Sequence, residues 1–146
     1  MEIERKYLVK TLPEDLDSYP CRFLEQGYLS TEPVVRVRQD NDRYELTYKS
    51  KGLMVREEHN LPLTKESYEH LKSKADGRII TKRRYMIPYD KYTIELDVFE
   101  GELAPLILAE VEFPSEEEAN VFVAPDWFGE DVTFSTQYHN SNLSKR

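Results

Sequence analysis

Cysteine is almost absent from this sequence. Cys21 is alone among 146 residues, so no internal disulfide can form. With no base partner beside it, Cys21 reads as an inert small residue rather than a nucleophile. Long apolar runs are missing too, and so is a signal-peptide pattern. Met1 leads straight into Glu2-Ile3-Glu4-Arg5-Lys6, which already reads as structure. A cytoplasmic protein with no membrane partner is expected. Positive charge is in deficit. The formal net charge is −8, and affinity for phosphate backbones rests on net positive surface, so no nucleic-acid partner is expected. No linker, repeat or low-complexity tract interrupts the chain. Hydrophobic residues make up 39% and charged residues 33%, a globular balance on the polar side. Two domains would each be too small to bury enough apolar surface, so residues 1–146 are expected to form one domain.

What is present is strand-like. Aromatic and β-branched runs separated by turn residues predict strands over Glu2–Val9, Arg22–Ser30, Val34–Asp40, Arg43–Ser50, Leu53–Leu61, Ile79–Ile87, Tyr92–Phe99 and Leu106–Phe113. Asn41-Asp42 marks a tight hairpin, and Lys51-Gly52 and Asp90-Lys91 mark two further turns. One helix is expected from Thr64 to Ala75, with Thr64 as N-cap, Tyr68, Leu71 and Ala75 at helical spacing, and Asp76-Gly77 as its stop. A second runs from Ser115 to Val123, opened by a capping box. A short helix after Thr136 completes the set. The fold class is therefore mainly β with flanking helices (α+β): an antiparallel barrel or strongly curved sheet with helices packed outside.

The charges follow the strand period. Alternate side chains point to opposite faces, and one face of strand after strand carries close-set charge. Glu2, Glu4 and Lys6 share a face, as do Arg36 with Arg38, Thr47 with Lys49, and Arg56 with Glu58. Lys82 with Arg84, Glu95 with Asp97, and Glu110 with Glu112 complete the series. For a single strand the plain reading is a solvated face. Seven strands sorted into acidic and basic stretches fit an inward-facing charged lumen better.

Buried charges need partners. A divalent cation would neutralise Glu2, Glu4, Glu110 and Glu112, and a polyanion would neutralise the basic set. Together they describe a site for a metal-bound polyphosphate. All-oxygen ligation favours Mg²⁺ or Mn²⁺, and no Cys or His cluster suggests zinc.

The series Glu2-Ile3-Glu4-Arg5-Lys6, Gln26-Gly27-Tyr28-Leu29, Val35-Arg36-Val37-Arg38, Leu46-Thr47-Tyr48-Lys49, Arg56-Glu57-Glu58, Thr81-Lys82-Arg83-Arg84-Tyr85, Ile94-Glu95-Leu96-Asp97-Val98-Phe99 and Ala109-Glu110-Val111-Glu112-Phe113 spans nearly the whole chain. In this order it resembles the triphosphate tunnel metalloenzymes, the CYTH superfamily, in their bacterial inorganic triphosphatase form. Tyr138-His139-Asn140-Ser141-Asn142-Leu143 resembles the family's closing segment. The resemblance implies an eight-stranded antiparallel barrel, the triphosphate tunnel, open at both ends. It implies metal ligands at Glu2, Glu4, Glu110 and Glu112. It implies that Lys6, Arg36, Arg38, Lys49, Arg56, Lys82 and Arg84 hold the phosphate chain. Glu58, Glu95 and Asp97 match acids that hold a second metal or orient water, which makes Lys6, Glu58 and Asp97 the catalytic candidates. Asn60 departs from the pattern, since many members carry a Glu there.

Phosphoryl transfer needs positioning and charge stabilisation more than covalent help. Arginines would grip phosphate oxygens with paired donors, and Glu58 or a metal-linked Glu would take the water's proton. The expected reaction is metal-dependent removal of the terminal phosphate of inorganic triphosphate, with nucleoside or thiamine triphosphate as further substrates. Cyclisation of ATP and turnover-free polyphosphate binding are the alternatives. The compact chain offers no insertion for a base pocket, and both Glu-x-Glu pairs are present. His59, His70 and His139 are single and read as surface or packing residues. A monomer and a homodimer are equally compatible with the sequence.

Overall fold

The computed structural model describes residues 1–145. It contains ten strands: β1 (Glu2–Val9), β2 (Cys21–Thr31), β3 (Val34–Asp40), β4 (Arg43–Lys49), β5 (Val55–Arg56), β6 (Glu58–Pro62), β7 (Asp76–Tyr89), β8 (Tyr92–Phe99), β9 (Ile107–Glu112) and β10 (Phe128–Asp131). Every pairing is antiparallel, in the order β10-β1-β9-β8-β7-β2-β3-β4-β6, with β5 also on β1.

Closure depends on one residue. Glu57 alone separates β5, which pairs with β1, from β6, which pairs with β4. The expected strand over Leu53–Leu61 is thus two pieces, because its halves must bond to neighbours at opposite ends of the sheet. Taken as one stave, β5 and β6 join those ends into a nearly closed barrel of eight staves. β10 was not foreseen. It borders the far half of β1, where Tyr7 faces Asp131 and Val9 faces Phe128. The hairpins fall where expected, with Asn41 at φ 53° and Asp90 at φ 55°, a left-handed conformation that Asn and Asp tolerate.

The outward face of β1 and β7–β9 is apolar. Tyr7, Ile87, Ile94, Leu96, Ala109, Val111 and Phe113 are buried there with Ala119 of α2 (Glu116–Val121) and Phe128 of β10. A Leu-to-Ala cut in such a core costs about 2–5 kcal/mol, so this face anchors the strands that carry the acids inward. On the other side, α1 (Lys65–Lys72) packs on β2–β4. Thr64 Oγ1 accepts from the Ser67 amide, and Ser67 Oγ in turn accepts from the Thr64 amide. Tyr68 is fully buried and donates to Glu25 at 2.8 Å. Only half of the second expected capping box forms. Ser115 accepts from the Glu118 amide at 3.2 Å, but the Glu118 carboxylate turns away to Tyr92 and Lys91. Asp76-Gly77 opens β7 directly rather than following the helix as a loop. Gly77 has φ 69°, and a Cβ there would lie 2.1 Å from the Ser144 carbonyl oxygen.

One end of the barrel is stoppered. Tyr28, Val34, Ile80, Phe99 and Leu108 share strand parity with the charged residues, but they are apolar and buried with Val132. Leu8, Tyr138 and Leu143 pack against them. The C-terminal segment, with a 3₁₀ turn at Thr136–Tyr138 and the short α3 (Asn140–Leu143), lies against this end. That end of the tunnel implied by the resemblance is narrowed by this packing. The apolar lumen positions and the chain end cover each other.

Candidate active site

The cavity inside the barrel measures about 250 Å³. Its walls carry Glu2, Glu4, Lys6, Arg36, Arg38, Lys49, Arg56, Glu58, Arg84, Glu95, Glu110 and Glu112. The structure places on one cavity wall residues that strand parity had put on one face of each strand. Lys82 and Asp97 do not line the open space. They are buried beside Arg84, both essentially without solvent exposure, with Lys82 Nζ 2.6 Å from Asp97 Oδ2 and 3.3 Å from Asn140 Oδ1.

The strand register sets which charges meet. On β1 and β9, Glu4 stands opposite Glu112 and Lys6 opposite Glu110. Lys6 Nζ lies 3.3 Å from Glu110 and also donates to the Tyr138 carbonyl at 3.0 Å. Against the upward push of burial, Lys6 and Arg84 hold the Glu110 carboxyl well below the usual range. Glu2 stands opposite Arg56 and takes an ion pair of 2.9 Å from Lys49, which also reaches Glu58 at 3.3 Å. Arg84 stands opposite Asp97 and grips it with two bonds of 2.7 and 2.9 Å. Burial pushes Lys82 down to about 7, with Arg84 and Arg38 adding to the effect and Asp97 offsetting part of it.

Two stretches of the wall are under-compensated. Arg36 and Arg38 are buried on β3, and among the described residues neither has a carboxylate partner. Arg36 donates to Thr47 at 3.0 Å, and Arg38 donates its Nε to Gln26 at 2.7 Å. Burial, then Arg36 and Arg84, push Arg38 down to about 9. On the opposite wall, burial and then the Glu110 and Glu2 charges push Glu4 up to about 8. Glu112 is raised by burial, then by Glu95 and Glu58. Like charges directly opposite one another in a sheet repel, and a cation between Glu4 and Glu112 would relieve that repulsion.

Among the described residues, no three His, Cys, Asp or Glu side chains converge as a ready-made metal nest. Lys49, Arg56 and Lys6 already hold Glu2, Glu4 and Glu110. The donor set still fits a hard cation, because Mg²⁺ is ordinarily held by one or two carboxylates with water and substrate phosphate completing its shell.

Glu58 is tied into the wall. Its carboxylate accepts from Asn60 at 3.3 Å, and Asn60 accepts from the Thr47 hydroxyl at 2.5 Å. Burial pushes Glu58 up, but Glu2, Lys49 and Asn60 outweigh it and bring the group down to about 2.

Sequence reasoning missed several wall residues. His139, read as a surface or packing residue, lines the inner end of the cavity with Asn140 and Ser141. Burial, then Lys6 and Arg56, push its imidazole down to about 4, so it is neutral. No local pattern marks it. Arg22, Asp40, Arg43 and Glu45 line the outer end. Strand parity with Gln26, Arg38 and Lys49 was the available signal for them.

An antiparallel barrel closed around facing acidic and basic walls defines a class of charged-lumen tunnel proteins. The CYTH domain model matches residues 1–146, and the chain belongs to the CYTH domain family. An inorganic triphosphatase of Nitrosomonas europaea is 43% identical over 149 residues, covering 98% of this chain and 96% of its own length. An inorganic triphosphatase of Acetivibrio thermocellus is 37% identical, covering 99% and 93%. A crystal structure of an inorganic triphosphatase superposes with a TM-score of 0.75 at 39% identity, covering 100% of this chain and 95% of the other. A Pyrococcus horikoshii protein at 20% identity and a TM-score of 0.62 shares the fold.

Proposed function

We propose that the chain hydrolyses the terminal phosphoanhydride of inorganic triphosphate with the help of a divalent cation, Mg²⁺ or Mn²⁺. The observation that carries this reading is the pair of under-compensated walls: Arg36 and Arg38 with no acid partner among the described residues, facing Glu112 with no base and Glu4 with only Arg56 at 3.6 Å. The identity to two inorganic triphosphatases supports it.

Arg36 and Arg38 present guanidinium donors to phosphate oxygens, already oriented by Thr47 and Gln26. Arg84, fixed by Asp97, and Lys6, Lys49 and Arg56 extend the basic lining along the chain. Lys82 acts from behind the wall, through Asp97. Glu4 and Glu112, flanked by Glu2 and Glu110, would hold the cation. The cation's contribution, when bound, is to withdraw charge from the phosphate oxygens. Glu58, kept ionised by Lys49 and Asn60, accepts a hydrogen bond from the attacking water and orients it in line. The cavity wall has no rings other than Tyr28 and His139 among the described residues, so a bare phosphate chain suits it better than a nucleotide.

The test is phosphate release by the purified protein with Mg²⁺ or Mn²⁺ and, separately, inorganic triphosphate, ATP and thiamine triphosphate. The highest kcat/KM is expected for inorganic triphosphate. A preference for either organic substrate would overturn the bare-chain reading, and no release from any of the three would overturn hydrolysis itself.

A further inference from the structure

The outer end of the cavity carries a charge group that the proposed triphosphate site does not use. Asp40, the last residue of β3, lies between two arginines on the cavity wall. Arg22 of β2 places Nε 3.5 Å from its Oδ1, and Arg43 of β4 places a terminal nitrogen 3.8 Å from its Oδ2. Neither is a hydrogen-bonding distance. Arg22 Nε and Asp40 Oδ1 are both buried with no hydrogen-bond partner among the described residues. A stabilising salt bridge would not leave both ends open in this way, because an unsatisfied buried polar atom costs about 1–3 kcal/mol.

The register adds a second oddity. Arg22 stands directly opposite Arg84 across the β2–β7 pair. Like charges in facing positions destabilise a sheet, and the Asp97 carboxylate is already taken by Arg84. An anion lying along the lumen would answer both arginines. Arg43 keeps most of its side chain in solvent, at 75% exposure, and is free to swing onto such an anion.

The stopper decides where extra length goes. Tyr28, Val34 and Val132 pack together at the inner end, so a phosphate chain longer than the triphosphate would extend more readily outward, past Asp40. We infer that Arg22 and Arg43 form an outer anion subsite for the distal phosphate of a linear inorganic chain of four or more phosphates, with Asp40 as the resident carboxylate that this phosphate displaces. The subsite rests on the proposed phosphohydrolase reading. The reaction is unchanged in kind: water adds to the terminal phosphorus, one anhydride bond breaks, and tetraphosphate yields triphosphate and orthophosphate. Arg22 and Arg43 thereby become specificity-determining residues for chain length.

The experiment compares kcat/KM for inorganic tetraphosphate and inorganic triphosphate in the wild type, Arg22→Ala, Arg43→Ala and Asp40→Asn. Each arginine variant should lose about tenfold more on tetraphosphate than on triphosphate, the size of one charge-assisted contact. Asp40→Asn should shift the ratio the opposite way, because the competing carboxylate is neutralised while the side-chain shape is kept. Equal losses on both substrates, or an unchanged ratio in all three variants, would overturn the subsite and leave triphosphate hydrolysis standing. A wild type that turns over neither substrate would overturn the underlying reading instead. Circular dichroism on each variant separates a folding defect from a lost contact, and Asp40→Asn gives a gain that misfolding cannot imitate.

Discussion

Replacing Arg38 with alanine separates a tunnel from an ordinary charged surface. The side chain is buried, and its Nε is committed to Gln26 at 2.7 Å. Two terminal nitrogens remain for ligand. Each charge-assisted bond is worth about 1.5–3 kcal/mol, so losing one or both should lower kcat/KM on triphosphate by between roughly tenfold and a thousandfold. Stability should respond differently. Burial and the neighbouring Arg36 and Arg84 push the Arg38 guanidinium down to about 9, yet it stays charged at neutral pH. The empty fold carries that penalty at every pH below about 9. Alanine removes the charge and leaves a small void, two effects of opposite sign. The ligand-free Tm should therefore stay within a few degrees of wild type or rise. Triphosphate at about a hundred times the wild-type Kd stabilises the wild type by about 2.7 kcal/mol. At the same concentration the variant's shift should be much smaller. Arg83→Ala is the control, one residue out of phase. Arg83 faces outward, half exposed, with Glu100 at 3.1 Å, and such a pair contributes about 0–1 kcal/mol. Steady-state rates and thermal melts with and without triphosphate decide the matter. Equal, mild effects at both positions would refute the inward assignment.

Two further outcomes follow from the same geometry. Activity should vanish with EDTA and return with Mg²⁺ or Mn²⁺. Glu4→Ala or Glu112→Ala should each cost at least about a hundredfold in rate, on the order of 3 kcal/mol; full turnover in metal-free buffer would remove the cation from the scheme. Binding of triphosphate near pH 8.5 (about midway between the folded and ordinary values of Lys82) should take up protons. Lys82 is pushed down to about 7 and Arg38 to about 9 in the empty protein, and a bound polyanion favours their charged forms. For the empty fold the sign is the same. The unfolded chain binds more protons above about pH 7, so these groups' penalty on folding shrinks as the pH rises. Calorimetric binding heats that do not change with the buffer's ionisation enthalpy would contradict this.

Much of the barrel was legible because its signal is local. Period two places Val35 and Val37 opposite Arg36 and Arg38 whatever the rest of the chain does, and Asn41 and Asp90 announce their turns by the conformations they tolerate. Closure was not legible. Whether Arg56 and Glu58 belong to one strand or two depends on which neighbours flank them, β1 on one side and β4 on the other. β10 was hidden for a related reason. Phe128-Gly129-Glu130-Asp131 has no clear alternation, and Gly129 serves a close approach, its ideal Cβ position lying 3.3 Å from the Leu8 carbonyl oxygen. The stopper lies between these cases. Tyr28, Ile80, Phe99 and Leu108 stand on the charged parity, so the sequence places them in the lumen. What covers them, a segment around Val132 and Leu143, is a long-range contact that no spacing reveals. His139 enters the site through that same contact.

A charged lumen can fold only if most of its charge is neutralised internally, since the cost of desolvating an ion is several kcal/mol. Here Lys6 with Glu110, Lys49 with Glu2, and Arg84 with Lys82 around Asp97 meet that requirement before any ligand arrives. These pairs hold the staves in register while keeping Lys6, Lys49 and Arg84 on the cavity wall. The least compensated groups are Arg36 and Arg38 on one wall and Glu4 and Glu112 on the other, and burial with like charge disfavours the charged forms of Arg38, Glu4 and Glu112 in the empty fold. A polyanion alone would settle the basic wall while adding negative charge before the acids. A cation alone would do the reverse. Bound together, each screens the other from the wall that repels it. Cation and phosphate chain should therefore raise each other's affinity by the same factor, as linkage requires. The division of labour in the lumen is then one of degree: paired residues build the tunnel and line the phosphate path, and the least compensated ones contribute most to binding what passes into it.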